Sequence, residues 1–282
     1  MCRMSALAAT ALALSLTSVV PAQAFGFKAK AETPAAPEAG ASATSQPPKP
    51  QKANAEERAL SARLDPLAQA AFWAREVNLD ATDLEAGIGL SRALRNMGKP
   101  DDAAAAAERL AVLAPDNVEV MLELARAHLA RGQGFYAVEP GRKAQSLAPG
   151  DWRAPFLLAM AYEQAERDAE ALAAHRRAVQ LAPDNASVLS NLAMFQAARG
   201  QTAEAEALLR HAATLPGATA VARQNLALIL GLQGRLAEAE ALARQDLPPQ
   251  LVANNLAYLR AAAAAGSTGG AGRSWNSVGS AQ

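Results

Sequence analysis

The chain has 282 residues, 51% of them hydrophobic but only 4% aromatic. So alanine-rich a composition suits close-packed helices and argues against a sheet sandwich or barrel. Its 27 basic residues balance 27 acidic ones, so no basic face announces a nucleic-acid partner.

The first segment reads as an export leader. Arg3 and the amino terminus precede an apolar run from Ala6 to about Leu16, and Ala22 and Ala24 are the small residues that a signal peptidase accepts. The pattern predicts a cleavable signal peptide over 1–24 and a periplasmic protein. The apolar run falls short of the roughly 20 residues that a membrane span needs. Cys2 is the only cysteine and lies inside the leader. The exported chain is therefore expected to have no disulfide, thiol nucleophile or zinc–cysteine site. It also has no cysteine where a lipoprotein carries its lipid, so a lipid anchor is not supported, and outer-membrane association stays open. Residues 25–54 carry Pro34, Pro37, Pro47, Pro48 and Pro50 among Ala, Ser, Thr and Lys, the composition of a disordered linker. Capping helices are expected over 55–83, with Asp65 and Pro66 starting one that runs through Leu79.

A repeat follows. Leu79, Leu113, Leu147, Leu181 and Leu215 stand 34 residues apart, and Pro115, Pro149 and Pro183 keep the same interval. So do Gly98, Gly132, Gly200 and Gly234, with Glu166 in the place where one glycine is missing. The string Ala203–Leu208 returns at Ala237–Leu242. Within one interval, Val188, Leu189, Leu192 and Phe195 fall on helical spacing, Gly200 ends that helix, and a second apolar stretch runs from Ala203 to Leu215. Each unit is thus helix, turn, helix, turn. One amphipathic pair cannot bury its apolar faces alone, so neighbouring units must stack.

Small residues mark where the helices cross. Ala103, Ala137, Ala171, Ala205 and Ala239 form one series, and Ser91, Ala125, Ala159, Ala193 and Ala227 another. Axes about 8–10 Å apart leave room for little more than a methyl. The phrase Leu-Ala-Pro-Asp-Asn at 113–117 and again at 181–185 reads as the hinge between pairs. Leu113 and Leu181 would be the last core residues of second helices, the proline stops the helix, and Asp116/Asn117 and Asp184/Asn185 cap the next.

A 34-residue unit with leucine, small-residue and proline positions at these offsets resembles the tetratricopeptide repeat. The resemblance implies an all-α, right-handed superhelical α-solenoid of stacked helix-turn-helix units: 84–117, 118–151, 152–185, 186–219 and 220–249, a closing helix at 250–265 and a disordered Gly/Ser tail over 266–282. Of the aromatic positions of the repeat, Tyr162 fills one; Pro140–Gly141 inside the predicted helix Phe135–Ala148 should kink or shorten it. The segment Arg223–Arg260, with its "QNLALILGLQGR", "DLPP" and "NNLAYLR" strings, further resembles the end of the TadD family of Flp (tight adherence) pilus assembly proteins. That resemblance implies an envelope scaffold whose partners are pilus assembly proteins, among them an outer-membrane secretin.

No constellation carries chemistry. His128, His175 and His211 have no second ligand one helical turn away, which reads as histidines on helix surfaces. The run His175–Arg177 reads as a solvated outer face. Gly132-Gln-Gly134 follows a helix rather than a strand and is a turn, not a phosphate loop. No enzyme, cofactor, metal or small-molecule substrate is expected. What remains is a groove lined by first helices, with Leu122, Arg126, Phe156, Met160, Asn191, Met194, Asn225 and Leu228 as the candidate protein-binding residues. Phe156 and Leu122 fit the core equally well on spacing alone. Asn191 and Asn225 lack the neighbouring lysines of the family's carboxylate clamp, so the expected guest is an extended or helical protein segment rather than an acidic tail. Scaffolds for cell-wall synthesis or cytochrome maturation would use the same residues, and an enzyme with an unrecognised site is the alternative from another class.

Overall fold

The computed structural model describes residues 51–266, with side chains to 261. The leader, most of the linker, and the tail with Trp275 lie outside the described residues. Thirteen helices and no strands occur among the described residues. A front pair, α1 (Ala55–Ser61) and α2 (Pro66–Leu79), precedes five pairs. These are α3 (Leu84–Asn96) with α4 (Pro100–Leu113), α5 (Val118–Ala130) with α6 (Gly134–Leu147), and α7 (Arg153–Gln164) with α8 (Asp168–Leu181). Then come α9 (Ala186–Ala197) with α10 (Thr202–Thr214), α11 (Ala220–Leu232) with α12 (Leu236–Ala243), and the closing α13 (Pro249–Gly266). None of these helices is long and apolar enough to cross a membrane.

Three of the five repeat pairs start on a side-chain cap, from Asp83, Asn117 or Asn185, and all five turn on a left-handed residue. Asn117 accepts from the Val120 N–H at 3.1 Å, and Asn185 from Ser187 and Val188, so these asparagines satisfy N–H groups that the first turn leaves open. Within a pair, Gly132 sits at φ 70°, its N–H donating to the Leu129 carbonyl while Gln133 N–H reaches back to His128 at 3.0 Å. This Schellman turn satisfies the last carbonyls of the helix. Glu166 adopts the same conformation at φ 57° without being glycine.

The helices stack as an α-solenoid in which each first helix packs between its own second helix and the pair before it. Helices α3 and α5, α5 and α7, and α9 and α11 also touch directly. The crossings are as tight as alanine permits: Ala103, Ala171 and Ala205 are fully buried, as are Ser91, Ala125, Ala159 and Ala193. One apolar cluster runs from Leu110 through Tyr162 to Phe195, and a second from Ala193 through Leu230 to Leu259, so α9 joins the two.

Four expectations need correction. Helix α6 is not shortened by Pro140: it is as long as α4 and α8, 14 residues each. Pro140 is buried, and Gly141 lies so close to Leu158 that an added Cβ would sit 2.9 Å from its Cδ2, so packing against α7 holds the backbone helical. Leu113 is not a core residue. It is 51% exposed and, with Val77, Leu90 and Leu110, walls an open apolar cavity of about 380 Å³ that has Arg109 at its edge. Residues 51–54 do not continue a disordered linker. Ala53 is buried, its N–H donates to Glu76 at 2.8 Å, and Lys52 pairs with Asp80. Nor do the histidines all lie on surfaces. His175 is fully buried and His128 nearly so, leaving Arg176 and Arg177 as the exposed part of that basic run.

Candidate protein-binding face

The first helices carry the candidate residues, and the 34-residue register sets which of them share a face. Val118–Ala130 turns Arg126 outward because Val120, Met121, Ala125 and Leu129 take the inward positions and are buried. One register on, Met160 occupies the same place on α7, and Met194 the same place on α9. Arg126, Phe156, Met160, Asn191, Met194 and Asn225 are all half-buried, so each keeps part of its side chain accessible. Phe156 stacks edge-on to Trp152 at 5.7 Å and leans on the core. Asn191 donates to the Ser187 carbonyl at 2.9 Å, which keeps its own side chain local.

Leu122 and Leu228 do not join this face. Leu122 has no exposed surface and Leu228 only 8%, so both fill the stack instead. Helical periodicity places them on the inward-turning edge of the stripe, where core and groove are not distinguished.

Sequence reasoning missed the charges beneath the face. Glu123 is fully buried. Its carboxylate accepts from the Ser91 hydroxyl at 2.8 Å and from Arg95 Nε and Nη2 at 3.0 and 3.1 Å. This ties α5 to α3, and the bidentate geometry offsets the cost of removing a carboxylate from water. Arg126 stands farther off, 3.7 Å from Glu123, and burial pulls its guanidinium below the ordinary arginine range. On α7, Arg153 grips Asp151 and Glu119 in one fork, with the Arg153 guanidinium holding Asp151 below the usual carboxylate range. The signal for Glu123 was present: its register position holds Gly89, Leu157, Asn191 and Asn225 in the other units, and a carboxylate there must find a partner.

The buried histidines serve packing. His175 Nε2 lies 2.6 Å from a Glu163 oxygen, and its ring leans on Phe195 at 5.0 Å. Burial lowers the affinity of His128 for a proton, and its Nδ1 has no hydrogen-bond partner. Among the described residues no group of three or more His, Cys, Asp or Glu side chains could hold a metal ion.

Comparison with known proteins fits this geometry. Tetratricopeptide-repeat family models match residues 84–127, 153–185, 185–215 and 219–247. The unmatched stretch between the first two matches, 128–152, contains the whole of α6 with its internal proline. Among solved structures, a thermophilic tetratricopeptide-repeat protein of Thermus thermophilus is similar at 25% identity and a TM-score of 0.54, over 62% of this chain and 98% of that one. A tetratricopeptide-repeat protein of Parabacteroides merdae aligns over 74% of this chain and 86% of its own at a TM-score of 0.59 and 14% identity, a likeness of fold alone. No curated protein matches the sequence.

Proposed function

Because the chain is a tetratricopeptide-repeat protein, a class whose repeats bind protein or peptide partners, we propose that it is a periplasmic scaffold serving Flp-type pilus assembly in the manner of the TadD family. The observation that carries the scaffold reading is the half-buried face of Arg126, Phe156, Met160, Asn191, Met194 and Asn225. It offers apolar surface, amides and one cation over four successive pairs and brings no nucleophile–base pair together. The flexible thioethers of Met160 and Met194 let such a surface repack around a guest. The leader-like pattern over 1–24 supports export. The Arg223–Arg260 strings support the pilus assignment, and Arg223 there holds Asp246 in a fork at 2.5 and 2.7 Å that pins the "DLPP" turn before α13. The partners under this reading are pilus assembly proteins and the outer-membrane secretin.

Capture from an envelope extract of the host tests it. The tagged protein and a Phe156→Ala/Met160→Ala/Met194→Ala version are compared by mass spectrometry of what each retains. A secretin or other pilus assembly protein, retained by the first and lost by the second, is the expected result. Cell-wall or cytochrome-assembly proteins in their place would defeat the pilus assignment and leave the scaffold. Retention indifferent to the triple substitution would place binding elsewhere on the molecule.

A further inference from the structure

The front of the binding face is electrically unfinished. Arg92 on α3 and Arg126 on α5 occupy one register position, 34 residues apart, and α3 packs directly on α5. Arg92 is exposed and meets no carboxylate within 4 Å among the described residues. Arg126 is 26% exposed and reaches only Glu123, at 3.7 Å, a carboxylate already held by Arg95 and Ser91. The remaining acids nearby, Glu119 and Asp151, are both taken up by Arg153. Four arginines thus share three carboxylates, and the surplus cation falls on the pair Arg92 and Arg126. One register farther along, on α7, the position changes character to Met160, with Phe156 one turn before it. Helices α5 and α7 are also in direct contact, so the cationic and apolar parts form one continuous surface.

We propose that this front half selects an internal segment of a partner protein that places a side-chain carboxylate between Arg92 and Arg126 and an apolar side chain on Phe156 and Met160. The inference rests on the first-helix face being the binding surface and names the chemistry of its guest. A carboxylate is the complement that the surplus cation lacks, and a guanidinium half removed from water gains most from an ionic partner. Adjacent first helices stand about 10 Å apart, so from midway between α3 and α5 to α7 is about 15 Å, and in an extended guest roughly four to five positions separate the acid from the apolar anchor. No free carboxy terminus is required.

The test is selection by the full chain from a phage library of random 12-residue peptides whose carboxy ends are fused to the coat protein. Selected sequences are then remade as fluorescein-labelled, carboxy-amidated peptides and titrated by anisotropy. Enrichment of Asp or Glu about four to five positions from Leu, Ile, Met or Phe is expected. An Arg92→Glu/Arg126→Met variant is expected to bind those peptides at least about tenfold more weakly, a loss of about 1.4 kcal/mol. Arg126→Met installs the residue that the next two units carry there, and far-ultraviolet circular dichroism with a thermal melt verifies that both variants remain folded. Peptides that lose binding on Phe156→Ala/Met160→Ala but show no acidic preference, or a charge variant that binds equally well, would overturn the inference and leave the face standing. A selection that enriches nothing, or peptides indifferent to both pairs of substitutions, would overturn the inference and the face together.

Discussion

Replacing Glu166 by glycine should stabilise the protein. Glu166 is the one residue other than glycine at positive φ among the described residues, at 57°, where Gly98, Gly132, Gly200 and Gly234 take the same turn at 68° to 82°. An L side chain in that conformation costs about 1–2 kcal/mol, because Cβ crowds the following carbonyl. Glycine gives back roughly 0.5–1 kcal/mol through its larger freedom in the unfolded chain. The net expectation is a gain of about 0.5–1 kcal/mol. The Glu166 side chain is exposed and makes no ion pair or hydrogen bond, so nothing is lost with it. The turn's own bonds, Arg167 N–H to Tyr162 at 2.8 Å and Glu166 N–H to Glu163 at 3.0 Å, are backbone bonds and survive the change. For a folded unit of about 200 residues this corresponds to a rise in Tm of roughly 1–4 °C, read by circular dichroism. The reciprocal Gly132→Ala substitution should lower Tm by a similar amount, since its Cβ would meet nothing within 4 Å and only the backbone conformation opposes it. An unchanged or lowered midpoint for Glu166→Gly would refute the conformational account of the turn.

Other substitutions probe packing and charge. Gly134→Ala would place a Cβ 2.5 Å from the Ala161 carbonyl oxygen, an obstacle of backbone, and should cost about 1–3 kcal/mol in a denaturant titration. Glu123→Ala leaves Arg95 facing an emptied pocket and should cost about 3 kcal/mol; a loss under about 1 kcal/mol would mean that the pair contributes registry rather than stability. Burial depresses the pKa of His128 from its ordinary 6.5, so the unfolded chain takes up that proton first as the pH falls. The stability this histidine contributes is full above about 6.5 and declines as the pH drops toward the lowered folded value. In His128→Leu that part of the pH slope should vanish in denaturant midpoints taken between about pH 8 and 5.

Much of the stack was legible because it rests on local backbone needs. Glycine at four of the five left-handed turns within pairs, asparagine caps at Asn117 and Asn185, and alanine at all but one of the crossings repeat in register, so one unit deciphers the next. What was illegible depends on neighbours distant in sequence. Leu122 and Leu228 lie on the edge of the apolar stripe, and only the stacked pair decides that they are covered. His175 reads as surface until Glu163 and Phe195 close over it. Pro140 carries a helix-breaking propensity that packing against α7 overrides. Glu123 breaks the pattern of its register position, yet nothing local points to Arg95 and Ser91 as its partners. The open wall at Leu113 lies on a cavity lined from α2, α3 and α4 together, which no single helix announces.

The most direct test of the scaffold account is photocrosslinking in living host cells. A photoreactive phenylalanine analogue is placed singly at Met160, Asn191 or Asn225 on first helices, and at Gln180 or Glu204 on exposed second-helix positions. The account predicts that adducts with a protein partner form from the first three positions and not from the last two. Adducts confined to Gln180 and Glu204 would contradict it.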